Sequence, residues 1–301
     1  MSDYTHGAAQ MAGSLMPISE AKLSVLDWGL THSDITYDVV PVWEGAFFRL
    51  PDYLARFRAS IDALFLHIPQ TDEEIATILH DIVAASGLRS AYVSMVASRG
   101  VPGIPGSRDP RDCINHFYAW CVPYVHVILP EVAARGCHLW VSKTSRRKPQ
   151  DSVNPRAKNY HWGDFTSGLI DAKSRGFDNT ALLDHDGNVT EGPGFNIFAL
   201  KGDRVVTSDH GVLHGITRRT VIELCTARGL TVETRPLPLA ELMEADEVFL
   251  SSSGGGAIPV TRVDERVFSN DTPGPVATAL RADYFALLES SDMRRPITYA
   301  T

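Results

Sequence analysis

The order in which strand-like and helix-like hydrophobic periods follow one another is the strongest constraint on how this chain folds. Between residues 34 and 122 the pattern is strand, strand, helix, helix, strand, strand. Ile35 to Val40 and Ala46 to Arg49 are extended segments around Trp43-Glu44-Gly45, whose Glu-Gly pair suits a hairpin turn. Pro51 opens a helix at a position where proline is tolerated. Leu54, Phe57, Ile61, Leu64 and Phe65 then recur at i, i+3/i+4. Thr71-Asp72 starts a second helix with the stripe Ile75, Ile78, Leu79, Ile82, Val83, and Gly87 stops it. Tyr92 to Ser98 and His116 to Val122 read as strands. This order is α+β, and the lack of a regular βαβ alternation disfavours a doubly wound sheet.

The second half carries more strands: Cys137 to Ser142, Thr180 to Asp184, Asn196 to Lys201, Arg204 to Ser208, Thr231 to Arg235 and Glu247 to Ser251. Helices are expected at Trp162 to Arg175, Thr217 to Arg228 and Pro275 to Ser290. Residues Met1 to about Pro17 read as a loose start. A chain of 301 residues is long enough for two modest domains at roughly 150 residues each. Pro123 and Pro130 bracket the expected link, so the domains are placed at 1–123 and 136–301, joined by 124–135.

Several function classes are disfavoured. Lys plus Arg is 28 against 36 Asp plus Glu, a net charge of −8, which argues against nucleic acid as a bulk partner. No apolar run approaches the ~20 residues of a membrane helix, and no signal-like start is visible. The four cysteines, at 113, 121, 137 and 225, form no C-x-x-C pair or zinc-spaced cluster; no metal site is expected, and a reduced, cytoplasmic setting is. Asp184-His185-Asp186-Gly187-Asn188 lacks the spacing of a calcium loop and reads as a hairpin turn. No phosphate-binding G-x-x-x-x-G-K-[ST] or G-x-G-x-x-G is present.

Four short segments carry chemistry. Lys158, in Asn154-Pro-Arg-Ala-Lys-Asn-Tyr-His-Trp-Gly-Asp164, is either a solvated surface charge or a partly buried imine-forming amine beside Arg156. Glu191, before Gly192-Pro193-Gly194, either caps a hairpin or is a carboxylate held rigidly enough to keep a pyridine nitrogen protonated. Gly215-Ile216-Thr217 leads into a helix whose first N–H groups suit an anion, or Thr217 is an ordinary cap. Ser251-Ser252-Ser253-Gly254-Gly255-Gly256 is either the rest of a phosphate cup or a flexible polar loop.

Taken together, an imine lysine, a ring-nitrogen carboxylate and a two-loop anion cup are the parts of a pyridoxal 5′-phosphate site. The chain resembles the fold type IV pyridoxal-phosphate enzymes, which include branched-chain and D-amino-acid transaminases. Its Lys-Asn-Tyr-His-Trp-Gly-Asp, Thr-Glu-Gly-x-Gly-Phe-Asn and Gly-Ile-Thr-Arg runs are most similar to the (R)-selective amine transaminases. The resemblance spans about Glu20 to Leu287. It implies two α+β domains with the cofactor between them, and a homodimer. It also implies that Lys158 is the Schiff-base lysine and Glu191 the partner of the ring nitrogen. By the same carry-over Arg56, Ile216, Thr217, Ser252 and Ser253 bind the phosphate. Arg56 lies off the Leu54/Phe57/Ile61 stripe and is expected to point away from the core.

The implied reaction moves an amino group from an (R)-configured primary amine or D-amino acid to a keto acid such as pyruvate, with Lys158 as general base and acid. His32, Tyr37 and Val39, in His32-Ser-Asp-Ile-Thr-Tyr-Asp-Val39, resemble the (R)-amine subgroup. Tyr37 and Val39 share a strand face, as do Tyr92 and Ser94, and with Trp162 these are the candidate pocket walls; for Val39 and Tyr92 ordinary core packing is the competing reading. Arg108, in the Gly/Pro-rich segment 100–111, is the candidate carboxylate clamp and Arg111 the second choice; a surface arginine paired with Asp109 is the competing reading. The alternatives are a D-amino-acid or branched-chain transaminase and, more distantly, a pyridoxal-phosphate lyase of the aminodeoxychorismate lyase type.

Overall fold

The computed structural model describes residues 3–290 and 292–299. Its strands are β1 (Ala8–Met11), β2 (Ser14–Pro17), β3 (Ile35–Trp43), β4 (Ala46–Phe48), β5 (Ala91–Pro102), β6 (Cys113–Pro123), β7 (Cys137–Val141), β8 (Asn179–Ala181) and β9 (Asn188–Val189). They continue with β10 (Glu191–Gly192), β11 (Phe195–Lys201), β12 (Arg204–Thr207), β13 (Thr231–Thr234), β14 (Leu237–Pro238), β15 (Glu247–Ser252), β16 (Gly256–Val263), β17 (Arg266–Val267) and β18 (Arg294–Pro296). The helices are α1 (Trp28–Thr31), α2 (Leu50–Ala63), α3 (Asp72–Ser86), α4 (Pro130–Arg135), α5 (Gly163–Ser174), α6 (Ile216–Ala227), α7 (Leu239–Met243) and α8 (Pro275–Ser290). Among the described residues no helix is long and apolar enough to cross a membrane.

The chain forms two compact units. The first comprises Met1–Val125, Ala157–His161 and Leu288–Thr301, and the second His126–Arg156 and Trp162–Leu287. The first crossing, after Val125, falls inside the expected link. The two later returns to the first unit are not provided for by a single cut there.

In the first unit seven antiparallel strands run in the order β18-β4-β3-β5-β6-β1-β2. The β3–β4 hairpin turns at Glu44 and Gly45, both at positive φ. α2 has its proline in the first turn and buries Tyr53, Leu54, Phe57 and Ile61. The helical stripe ends there: Leu64 is the C-cap, and Phe65 sits at φ 52°, 87% exposed. Arg99 donates to the carbonyls of Leu64 and Phe65, so the chain leaves the helix instead of completing another turn. α3 starts with a capping box in which the Thr71 side chain and Glu74 exchange hydrogen bonds with each other's backbone, and ends on left-handed Gly87.

The N-terminal segment, expected to be loose, is instead a hairpin. β1 and β2 pair with each other, and β1 adds to β6. Gly7 lies so close to β6 that a Cβ there would fall 2.1 Å from the Cys121 carbonyl oxygen. The C-terminal strand β18 closes the other edge against β4, held further by Ile297 N–H to Gly45 O and Arg49 N–H to Met293 O.

The second unit is built on a nine-stranded mixed sheet whose main path runs β13-β12-β11-β15-β16-β7-β8, with β10 on β11 and β17 on β16. One core on this sheet packs Leu139, Val141, Phe195, Ile197, Val248, Leu250, Ile258 and Val260. Another gathers Phe198, Phe249, Val221, Cys225 and Leu280. The eight-residue strand β16, which the hydrophobic pattern does not announce, begins at the last glycine of the serine–glycine run. The expected strand at 180–184 stops at Ala181. Downstream, Asp184 accepts the N–H groups of Asp186 and Asn188 and so organises the hairpin turn.

Candidate active site

In the first unit Lys158 is fixed through its backbone. Its carbonyl accepts the Thr36 hydroxyl (2.7 Å) and the Tyr37 N–H (3.2 Å), and its own N–H donates to Ser60 Oγ on α2 (3.2 Å). Its amine lies 4.6 Å from the centre of the Tyr37 ring, which stacks on Tyr160 at 4.3 Å. The pleat puts Tyr37 and Val39 of β3 on one face, and a cluster there packs both with Ile35, Val96, Tyr118, Tyr92, Trp120 and Tyr160. Tyr92 stacks on Trp120 at 5.5 Å, and Ser94, paired with Val39 across the ladder, is fully buried. Burial pushes the hydroxyl pKa of Tyr92, Tyr118 and Tyr160 up, so this wall is uncharged.

Arg56 does not project freely. It turns onto Asp38, donating from Nε (2.8 Å) and Nη2 (2.6 Å) to a fully buried carboxylate. Burial works against the arginine's charge, but Asp38 outweighs it and holds the guanidinium above its ordinary pKa. Asp38 has a plain reason to demand this: a carboxylate inside a strand needs a paired charge. His32 is the exposed C-cap of α1 and stacks on Trp28 at 4.4 Å. Arg108 is exposed and has no ion-pair partner among the described residues, while Arg111 makes the pair with Asp109. That contact lowers the Asp109 carboxyl to about 2.

In the second unit Glu191 is held from both sides. Its backbone is locked in the β10–β11 hairpin, where Gly192 is obligatory because a Cβ would fall 2.4 Å from Thr180 O. Oε2 accepts the Leu213 N–H (3.0 Å) and Asn196 Nδ2 (3.4 Å). Oε1 accepts Arg147 Nη2 (3.0 Å) and Nε (3.2 Å). Arg147 also donates to Asp164 (2.8 Å) and lies 4.3 Å over the Phe165 ring. Trp162, immediately before α5, packs edge-on against the same Phe165 at 5.4 Å. The start of α6 has Gly215 as its N-cap and no side-chain cap, so Thr217 does not serve as one. Thr217 Oγ1 instead meets Ser253 Oγ at 3.2 Å. Ser252 Oγ donates to Gly194 O and accepts the Gly254 N–H, which shapes the serine–glycine loop.

The structure therefore gathers Lys158, Arg56, Tyr37, Val39, Tyr92 and Ser94 in the first unit, together with His32 and Arg108 at more exposed positions. Glu191, Ile216, Thr217, Ser252, Ser253 and Trp162 lie in the second. Asp38, Tyr118, Trp120, Arg147 and Asp164, which the sequence reading does not single out, pair or pack with these candidates or with their partners. An aspartate inside the apolar run Ile35–Val40 is a usable signal, because such a charge requires a partner. The Arg146-Arg147-Lys148 run offers none, since it reads as a solvated basic face.

The donor set fits a phosphorylated pyridine. Glu191 is a carboxylate already oriented by a guanidinium, the start of α6 has no side-chain cap and its Thr217 hydroxyl meets that of Ser253, and the buried Ser251 hydroxyl has no hydrogen-bond partner among the described residues. Comparison with known proteins agrees. The family Amino-transferase class IV matches residues 36–263. A Methanocaldococcus jannaschii protein described as a candidate branched-chain-amino-acid aminotransferase is 31% identical over 274 residues, covering 90% of this chain and 93% of that protein. The D-alanine aminotransferase of Bacillus licheniformis is 28% identical over 287 residues, covering 89% and 94%. A branched-chain amino acid aminotransferase from T.th., crystallised with pyridoxamine 5′-phosphate, superposes with a TM-score of 0.89 at 26% identity over 97% of this chain and 99% of that one. The chain thus belongs to the class IV aminotransferases: it is a pyridoxal 5′-phosphate-dependent aminotransferase of fold type IV.

Proposed function

We propose that this aminotransferase takes its amino group from an (R)-configured primary amine, or from a D-amino acid, and delivers it to a keto acid such as pyruvate. The observation that carries this reading is the uncharged aromatic wall beside Lys158, combined with an exposed Arg108 that has no ion-pair partner among the described residues. An apolar donor suits the wall as it stands. A carboxylate acceptor needs a cation, and Arg108 is available where Arg111 is engaged by Asp109.

The cofactor, when bound, supplies a carbonyl to carry the amino group and an electron-withdrawing ring. In this reading the Lys158 amine takes the proton from the amine-bearing carbon of the donor and would pass it on to the bound cofactor within the same half-reaction; in the second half it acts in reverse and delivers a proton to the corresponding carbon of the keto acid. Arg56, the Ile216 and Thr217 N–H groups and the Ser253 hydroxyl hold the phosphate. Ser252 supports the loop, and Glu191 faces the ring nitrogen. Tyr37, Val39, Tyr92, Ser94, Trp162 and His32 border the donor. We also propose a homodimer, which the exposed apolar side chains of Val25, Leu26 and Leu30, within six residues of one another, would help to form; sedimentation at the mass of a single chain would reject it.

The deciding experiment is single-turnover reaction of the holoenzyme with (R)-1-phenylethylamine, its (S)-isomer, D-alanine and L-leucine, followed by the cofactor's visible absorbance. Rapid loss of the band with the (R)-amine and not the (S)-amine supports the proposal. Reaction with L-leucine alone would assign a branched-chain aminotransferase, and with D-alanine alone a D-amino-acid enzyme. Relatives of both of these kinds match the chain.

A further inference from the structure

We propose that Arg147 is a positioning residue that keeps the proton on the cofactor's ring nitrogen by holding Glu191 as a weak base. The inference rests on the reading that Glu191 faces that nitrogen.

Arg147 is nine-tenths buried, and its planar fork donates to two carboxylates at once: Nε and Nη2 to Glu191 Oε1, and Nη1 to Asp164 Oδ2. Its backbone N–H is tied to Leu183 O. Asp164 is anchored independently by the N–H groups of Phe165 and Lys148. Arg147 therefore cannot swing away from Glu191 without abandoning Asp164 and the face of Phe165.

The charges give this rigidity a purpose. A buried carboxylate beside a protonated ring nitrogen can take that proton for itself, because a neutral pair is favoured where water is excluded. A guanidinium in direct contact with the carboxylate opposes that transfer. Arg147 also repels the ring cation, but across the intervening carboxylate and hence over a longer distance, so its effect on Glu191 is the larger. Asp164 matters on the other side of the balance. By pairing with the same guanidinium, Asp164 keeps Arg147 from adding an uncompensated positive charge beside a ring N–H cation. The other charged groups around the cluster are Lys148, 3.8 Å from Asp164, and Arg218, which interacts electrostatically with both Glu191 and Asp209. The Arg147 guanidinium reaches Glu191 Oε1 through two nitrogens, at 3.0 and 3.2 Å.

The test uses the full-length holoenzyme carrying cofactor isotopically labelled at the ring nitrogen, titrated with pH while the nitrogen resonance is followed by NMR. Arg147→Gln keeps a hydrogen-bonding group but loses the charge. It should lower the pH midpoint for loss of the ring proton by about 1 to 3 units, the usual size of a contact-charge effect. Arg147→Lys, which restores the charge, should recover most of the shift. Where the single neutral variant does not fold, Arg147→Gln combined with Asp164→Asn removes both members of the buried ion pair and should show the same fall. An unchanged midpoint in cofactor-loaded variants overturns the proposal. Loss of the cofactor from every variant without movement of the residual signal also overturns it, in favour of a purely structural role. Glu191→Gln separates this proposal from the reading beneath it. If it lowers the midpoint and the Arg147 variants do not, only this proposal fails. If it too leaves the midpoint unchanged, Glu191 does not face the ring nitrogen.

Discussion

Two buried arginines, one in each unit, solve the same problem with different numbers of carboxylate partners. Arg56 faces a single carboxylate, Asp38, and the pair is neutral. Arg147 faces two, Asp164 and Glu191, and Asp164 is also 3.8 Å from Lys148. A buried guanidinium needs a carboxylate in either case. The difference lies in what each arrangement holds together. The Arg56–Asp38 pair ties α2 to β3 through one strong contact. The Arg147 cluster joins one guanidinium to two carboxylates from separate elements, so moving either one disturbs the other.

The largest effect should come from the lysine in the unit with the neutral pair. Lys158→Ala should reduce transamination by more than about a hundredfold, since an acid–base group alone contributes at least that much, and leave the thermal midpoint nearly unchanged. Glu191→Gln should slow turnover much less. Equal losses from the two would erase the division between a unit that performs proton transfer and one that tunes it.

Next in size is the cost of orphaning Asp38. Arg56→Ala should destabilise folding by about 3–5 kcal/mol in urea titrations, whereas Arg56→Met combined with Asp38→Asn should recover most of that loss. If the single variant is as stable as the double, the pair is not buried in the way described.

A smaller effect is expected from Arg108. A charge-assisted contact to a carboxylate is worth about 1.5–3 kcal/mol, so Arg108→Ala should raise KM for pyruvate roughly tenfold to a hundredfold and spare the half-reaction with an apolar amine. Arg111→Ala should be nearly silent, because its side chain is exposed and already paired with Asp109. Selective loss in the Arg111 variant would transfer the role to that residue.

The gentlest test is acid. Burial raises the Asp164 carboxyl pKa, but hydrogen bonds from Arg147, Phe165 and Lys148 outweigh it, and the net folded value lies below the ordinary one. A depressed carboxyl contributes stability above its unfolded value, near pH ~4, and loses it as pH falls through the folded value. Asp164→Asn should therefore flatten the decline of stability below about pH 4. An unchanged acid limb would mean the cluster is not carrying its charge in the folded state.

Much of this architecture is legible from periodicity. The α2 stripe through Ile61, the Thr71 cap, the Gly87 stop and the full span of α8 all follow from local rules. Local rules miss what tertiary contacts decide. Pro259 sits inside β16, opposite Phe249, where proline ordinarily argues against a central strand. Ala8 to Met11 have little strand preference of their own and are extended because β6 offers an edge. Phe65 fits the helical stripe by spacing but lies past the point where Arg99 captures the chain end. At the site, motif residues such as Glu191 stand out because turns announce them. Asp38 stands out only as a charge in an apolar run, with its partner 18 residues on, and Arg147 does not stand out at all, because its meaning lies in a partner 44 residues away.

The edge strand β18 has a consequence for how the chain is made. Residues 294–296 complete the sheet that begins at residue 8, and Met293 secures the residue that starts α2. The second unit, by contrast, is complete once residue 287 has been made. A ribosome delivers the chain from its N-terminus, and domains fold as units when their last element arrives. The first unit to begin is thus the last to finish, and β4 waits with an open edge through nearly the whole of synthesis.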